Sequence, residues 1–321
     1  MFIGMDHGTT AIRFATDTGS TFELSRTVAK VMSSSEILES IEVGLDVSFS
    51  DLNLFALTYS MGDGFSTIES VKSIKNRGVK SSKAGTHIGG GTNVFDTLKE
   101  SGLPAIMIPG LHDATSTIDP RLKIFSHGAS PEKVGIAYHA YLKCRGDLIV
   151  SDMGSNTVTV GVSQGKIVGA FDACIFAPGI HHGPLDMRAI QKIDEGVTTA
   201  DEAFSNSGVL KRTSIKGLEE LLKGSEEDKD HAFKTLALFS AMEISAMRVL
   251  LKDYGAEDEK VVLAGSLSEI PLVKSEIERL LSVRTFSVRK WSASRGCAEI
   301  ARDVYHGEQE ILGIKVNYKT K

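Results

Sequence analysis

Two stretches of the chain carry one pattern of apolar and polar positions. The first runs Phe2-Ile3-Gly4-Met5-Asp6-His7-Gly8-Thr9-Thr10-Ala11-Ile12-Arg13-Phe14. The second runs Leu148-Ile149-Val150-Ser151-Asp152-Met153-Gly154-Ser155-Asn156-Thr157-Val158-Thr159-Val160. At a constant offset Asp6 falls on Asp152, Gly8 on Gly154, Thr9 on Ser155, Ile12 on Val158 and Phe14 on Val160. Each opens with an apolar run, reaches Asp-x-Gly followed by small hydroxyl or amide residues, and then alternates. Each therefore predicts a β-hairpin closed by a tight turn.

Around these hairpins the pattern predicts strands interleaved with helices. Alternation continues as strand over 21–31, Ser33-Ser34-Ser35 caps a helix over 36–43, and 52–59 reads as a buried strand. A polar, glycine-rich segment ends in His87-Ile88-Gly89-Gly90-Gly91, after which Thr92 or Asn93 caps a helix to Glu100. Strand 105–108 leads into a loop over 111–120, and Ser130-Pro131-Glu132 opens a helix to about Leu142. In the second half, 165–176 reads as strand, Ala177 to Asp186 as loop, Met187 opens a helix, and 218–224 is a short one. A long amphipathic helix over 230–254 turns Phe233, Leu236, Ala237, Met247, Leu250 and Leu251 toward a core, and Gly255 stops it. Val261 to Ser266 is a strand running into a glycine turn, followed by helix 272–281, strand 284–288 and helix 294–305.

The chemistry suggested by the paired turns is phosphate handling. Glycine lets backbone approach a ligand, and successive N–H groups with Thr9, Thr10, Ser155 and Asn156 can donate to phosphate oxygens. A carboxylate beside phosphates needs an intervening cation, so Asp6 and Asp152 imply Mg²⁺ held partly through water. Asp-x-Gly also serves plain turns; its recurrence in register near the start of each half favours the ligand reading. Gly265 and Ser266, at the carboxyl end of a buried strand, suit a base or ribose lying against the backbone.

Composition narrows the class. A length of 321 residues favours two domains, and an apolar share of 41% is enough for both cores. The net charge of −5 gives no basic footprint for nucleic acid, and Lys315, Lys319 and Lys321 read as a solvated tail, as Glu226-Glu227-Asp228 reads as a solvated face. Cys144, Cys174 and Cys297 lie far apart in no ligand-like spacing, which suits free thiols in a reducing compartment. No apolar run reaches membrane-spanning length and strand pattern begins at residue 2, so the expectation is a cytoplasmic protein without membrane or signal segment.

The three glycine elements resemble the two phosphate motifs and the adenosine motif of the superfamily of acetate and sugar kinases, heat-shock chaperone ATPases and actin. The likeness is most detailed to butyrate kinase, and covers most of the chain. Asn76-Arg77-Gly78 stands where that family has Gly-Arg-Gly-Gly, and Gly90-Gly91-Thr92-Asn93-Val94-Phe95 where it has a Gly-Gly-Thr segment opening a helix. Tyr138-His139-Ala140-Tyr141 resembles its His-Ala helix, Leu148 to Asn156 its second hairpin, and Ile180 to Asp186 its Gly-Pro loop. Overall the chain is also similar to the archaeal family known as methanogenesis marker protein 12. Two departures stand out: Asp6-His7-Gly8-Thr9-Thr10 is closer to sugar kinases and chaperones, and Asp152 replaces the acyl kinases' histidine.

The resemblance implies an α/β fold of two related ribonuclease-H-like domains, as in actin-like ATPases, around a cleft holding ATP and Mg²⁺. The expected domains are 1–146 and 147–293, with the helix from about 294 packing back on the first. Asp6, Gly8, Thr9, Thr10, Gly154, Ser155 and Asn156 would meet the phosphates, Asp6 and Asp152 the metal, and Gly265 and Ser266 the adenosine. Arg77 is a candidate for transition-state charge or an acceptor carboxylate, Asp113 and Asp119 for the base, and His139 for a role in the site. His181 and His182 lack a third ligand for a metal. The implied activity is an ATP- and Mg²⁺-dependent phosphotransferase acting on a small acceptor, with a carboxylate among the candidates. An ATPase driving domain motion on a protein partner, and a non-catalytic nucleotide sensor, stay open beside it, as does a homodimer.

Overall fold

The computed structural model describes residues 1–9, 11–81 and 89–319. The strands and helices, in chain order, are β1 (Phe2–Asp6), β2 (Ala11–Thr16), β3 (Thr21–Ser25), α1 (Arg26–Ala29), α2 (Ser34–Leu45), β4 (Leu54–Leu57), β5 (Ile68–Ser70), α3 (Gly90–Glu100), β6 (Ala105–Met107), β7 (Leu111–His112), β8 (His127–Ala129) and α4 (Pro131–Cys144). There follow β9 (Leu148–Met153), β10 (Thr157–Ser163), β11 (Lys166–Phe171), α5 (Met187–Asp194), α6 (Ala200–Ser205), α7 (Leu218–Lys223), α8 (Glu226–Asp253), β12 (Lys260–Ala264), α9 (Pro271–Leu281) and β13 (Thr285–Ser287). Helix α10 (Ser292–Tyr305) and the hairpin β14 (Glu310–Ile311), β15 (Ile314–Asn317) end the chain.

These elements form two compact units. Unit 1 takes Met1–Arg145, the short segment Gly165–Ile167 and the chain from Trp291 onward; unit 2 takes Gly146–Gln164 and Val168–Lys290. The sheet of unit 1 has the order β14-β15-β5-β6-β4-β1-β2-β3, and that of unit 2 the order β11-β10-β9-β12-β13. In each, an Asp-x-Gly hairpin is the pivot. β1 pairs antiparallel with β2 and parallel with β4, which is parallel to β6. β9 pairs antiparallel with β10 and parallel with β12, which is parallel to β13. The run β3-β2-β1-β4-β6 thus repeats as β11-β10-β9-β12-β13, and the sequence repeat extends to a whole sheet plan.

Cores follow the apolar pattern. Ile3, Met5, Ile12, Phe14, Phe55 and Phe95 are buried in unit 1, and Ile149, Phe233, Leu236, Ile244, Met247 and Leu263 in unit 2. Helix α10 lies directly on β1: a Cβ on Gly4 would overlap Ser294 O and Ala298 N. It also lies on α4, where a Cβ on Gly296 would overlap Gly135 O, so only glycine lets these two helix backbones meet.

Several boundaries differ from the pattern's prediction. The strand over 21–31 stops at Ser25 and turns into α1, because the Arg26 guanidinium is drawn back to the first hairpin. α3 begins at Gly90 rather than after Thr92 or Asn93, and the Asn93 amide instead donates to Ala29 O and Met32 O, both at 2.8 Å. α8 starts at Glu226: Ser225 accepts from Asp228 N–H, and the acidic run sits where the helix dipole favours it. Lys315 belongs to β15, which pairs with β5, and is not part of a free tail. No helix among the described residues is long and apolar enough to cross a membrane.

Candidate functional site

In unit 2 the parallel pairing of β9 and β12 sets Asp152 beside Ala264, at the carboxyl ends of both strands. Gly265 follows with φ +79°, a left-handed conformation that suits glycine. A Cβ there would overlap Met153 O and come within 2.6 Å of Asp152 Oδ1. Gly154 is different: a Cβ on it would find nothing nearer than Ser266 Oγ, at 4.0 Å. Asp152, Gly154, Gly265 and Ser266 are thus brought together, with open space over the Gly154 backbone.

The turn between β9 and β10 is braced from behind. Gly154 N–H donates to Asn156 O at 2.8 Å, so that donor is spent inside the turn. Ile180 N–H donates to Gly154 O at 3.0 Å, and the His181 and His182 N–H groups both donate to Ser155 O. Thr157 Oγ1 donates to Pro178 O at 2.8 Å. The loop opened by Ala177 therefore holds the turn. The same loop borders a cavity of about 390 Å³ lined by Ile180, His181, Asn206, Lys211, Thr213 and Lys216, a polar and cationic lining. The His182 ring stacks on Phe204 at 4.8 Å, and burial beside His181 holds its pKa down.

In unit 1, Asp6 is buried at the end of β1, with Arg13 Nη1 3.4 Å from Oδ2. His7 N–H donates to Thr58 Oγ1, whose hydroxyl donates to Met5 O, tying the turn to the end of β4. Arg26 Nε donates to Gly8 O at 2.8 Å, and its Nη2 lies 3.0 Å from His7 Nδ1. The His7 ring also packs on Tyr59 at 4.8 Å. Burial, reinforced by the Arg26 charge, pushes the His7 imidazole down to about 3, so it is neutral at ordinary pH. A Cβ on Gly91 would overlap His7 Nε2, so the start of α3 presses against the hairpin turn. At the start of α4, the buried Lys133 Nζ is 3.2 Å from Glu132 Oε1.

The other sequence candidates are placed as follows. Arg77 makes a two-pronged contact with Asp96, at 2.7 and 2.8 Å, so its guanidinium already holds a carboxylate of the chain. Asp113 is exposed, 3.4 Å from Lys80 Nζ, whose charge holds its pKa down. Asp119 is buried, caps a short 3₁₀ turn and receives Arg121 on both oxygens. His139 is buried in α4 with Nδ1 2.9 Å from Glu299 Oε2 on α10. Thr9 is exposed, while Thr10 and residues 82–88, with His87 and Ile88, lie outside the described residues.

Arg26 is the site residue that the pattern missed. After Phe22 and Leu24 it takes the inward register of an alternating run, and a charged residue in that register is the signal that was available. Glu243 was missed too. It is buried in α8 with no close hydrogen-bond partner on either oxygen among the described residues, and burial raises its pKa to about 8, tempered by the Thr159 hydroxyl and the Ala177 backbone.

No group of three or more His, Cys, Asp or Glu side chains able to hold a metal occurs among the described residues. Asp6 and Asp152 stand one to a unit. Mg²⁺ is commonly bound through one or two carboxylates plus waters and substrate phosphates, so single carboxylates fit a metal that arrives with a nucleotide, and not a dedicated protein cage.

Comparison with known proteins gives first a class and then a family. No family model matches the chain. In fold it resembles a propionate kinase from Francisella tularensis, with a TM-score of 0.61 at 13% identity over 93% of this chain and 91% of that one. It likewise resembles Porphyromonas gingivalis acetate kinase, with a TM-score of 0.60 at 12% identity over 92% and 90%. The chain is an α/β protein with two sheet-cored units whose fold resembles that of these acetate and propionate kinases. In sequence it is 54% identical to a UPF0285 protein of Methanosarcina mazei over 99% of each chain, and 42% identical to one of Methanocaldococcus jannaschii over 99% of each. It belongs to the archaeal UPF0285 family.

Proposed function

We propose that the chain is an ATP- and Mg²⁺-dependent phosphotransferase acting on a small acceptor. The observation that supports this most is the meeting of Asp152, Gly154 and Gly265: a carboxylate, a left-handed glycine turn packed against it and one open glycine backbone at the ends of parallel strands, with space left over Gly154. In this reading the phosphates lie over the β9–β10 turn, with Ser155 and Asn156 as donors, Asp152 meets Mg²⁺, and Gly265 and Ser266 face the adenosine. Asp6, Gly8, Thr9 and Thr10 have the corresponding role in unit 1, whose sheet repeats the same plan in ribonuclease-H-like fashion. Mg²⁺ would supply charge neutralisation at the phosphates.

The two kinases of similar fold are named for acetate and propionate, so small carboxylates head the list of acceptors. Arg77 is free to hold one only if Asp96 releases it, whereas Arg26, bound to Gly8 O and His7, brings positive charge to the first hairpin with no carboxylate to displace from those contacts. Relatives in Methanosarcina and Methanocaldococcus accord with membership of the methanogenesis marker protein 12 group. Titration calorimetry with ATP and Mg²⁺ is the direct test: binding is expected, and its absence from folded protein would discard the reading. A screen of carboxylates and sugars for acceptor-dependent ADP release then separates transfer from hydrolysis. ADP release that ignores all acceptors but rises with an added protein would instead favour an ATPase working on that partner.

A further inference from the structure

Helix α8 carries two apolar faces where a surface helix needs one. Phe233, Leu236, Ile244, Met247 and Leu251 are buried in unit 2. On the other side Leu238, Met242 and Val249 are 45, 47 and 70% exposed. With Ser245 they follow one another at steps of four, three and four residues, the spacing of a coiled-coil seam. Ser245 Oγ donates to Ala241 O at 2.8 Å, so its hydroxyl is satisfied within its own helix. Covering this stripe would therefore strand no polar side chain.

The steps read the same from either end. Two α8 helices laid antiparallel about a two-fold axis between residues 243 and 244 set Leu238 against Val249 and Met242 against Ser245, a larger side chain facing a smaller at each level. The same operation brings Lys234, paired with Asp230 at 2.9 Å in its own helix, opposite Asp253, and it aligns the two helix dipoles head to tail. We propose that this face of α8 pairs with the same face of a second copy of the chain, forming an isologous two-fold dimer. The occupant is a copy rather than a foreign helix because the stripe, reversed, sets a larger side chain against a smaller one at every level.

Light scattering on the full chain at micromolar concentration should give a dimer mass. Met242→Glu and Val249→Lys should each give the monomer, with unchanged circular dichroism because both positions are exposed. In a Cys174→Ser background, Met242→Cys lies close to the axis and should be joined to its mate by a short bis-maleimide. Leu238→Cys, about 16 Å from its mate along the helix axes at 1.5 Å per residue, should not be joined. A monomeric parent, a dimer that survives both charged substitutions, or equal linking at the two cysteine positions would each overturn the proposal.

Discussion

Replacing Gly154 by alanine separates a glycine kept for the fold from one kept for a ligand. Its φ is not in the left-handed region, and the new methyl would meet nothing nearer than Ser266 Oγ at 4.0 Å. Such a Gly→Ala change stabilises by about 0.4–1 kcal/mol through the unfolded chain. If nucleotide phosphate lies over this backbone, however, the methyl occupies its place. Pushing the phosphate off one Ser155 or Asn156 donor loses a charge-assisted hydrogen bond, about 1.5–3 kcal/mol, roughly ten- to a hundredfold in affinity. Gly265→Ala is the contrast. At φ +79° alanine meets the left-handed penalty of about 1–2 kcal/mol. It also meets overlap with Met153 O, backbone that cannot step aside, for about 1–3 kcal/mol more. Urea denaturation followed by circular dichroism, and calorimetry with ATP and Mg²⁺, read both variants. Gly154→Ala should hold or raise the denaturation midpoint while weakening ATP at least tenfold; Gly265→Ala should lower the midpoint clearly. Undiminished ATP affinity in Gly154→Ala, with a parent that binds, would refute the placement of phosphates over this turn.

Two further outcomes follow from the same unit. Asp152→Asn, nearly isosteric, should fold normally and lose about a hundredfold in turnover at saturating ATP and Mg²⁺, about 3 kcal/mol of electrostatic stabilisation; a rate within about threefold of the parent's would remove Asp152 from the chemistry. Glu243 keeps its proton up to about 8 in the folded chain, whereas a free carboxyl releases it near 4.5. Below that window both states are protonated; within it only the folded state is, so stability falls as pH rises, by up to about 1.4 kcal/mol per unit. Glu243→Gln should remove that slope from urea midpoints measured between pH 5 and 8 relative to the parent, and an unaltered slope would show that the carboxyl is charged in the folded protein.

Local chemistry was the part of the fold most legible in the sequence. Both hairpins, the glycine turn after β12 and the start of α4 at Ser130-Pro131 form where apolar pattern and turn residues put them. What escaped depends on partners far along the chain. Arg26 serves a turn 18 residues earlier, so alternation alone extended β3 past Ser25. Asn93 looks like a cap in isolation, but tertiary acceptors on Ala29 and Met32 claim its amide. Arg77 reads as a free cation until Asp96 on α3 is placed against it, and His139 as a lone imidazole until Glu299 arrives from α10, 160 positions later. The clustering of Asp152 with Gly265 rests on the parallel pairing of β9 and β12, which no spacing in the sequence records. The acidic run at Glu226 is solvent-exposed, as its composition suggests, and what the composition leaves out is that it also forms the first turn of α8, where the helix dipole favours the same residues.

The packing of α10 on β1 also sets an order of assembly. The first strand of the chain is covered by the last helix of the described residues, with Gly4 against Ser294 and Ala298. During synthesis, every residue of unit 2 leaves the ribosome before Trp291 does. Unit 2 can therefore close while β1, β2 and β4 still lack the helix that shields them. Unit 1, begun first, is finished last, and its apolar strands wait through the making of the other half. A nascent chain of this design is most exposed to wrong pairing, and most in need of a chaperone, just before its final segment emerges.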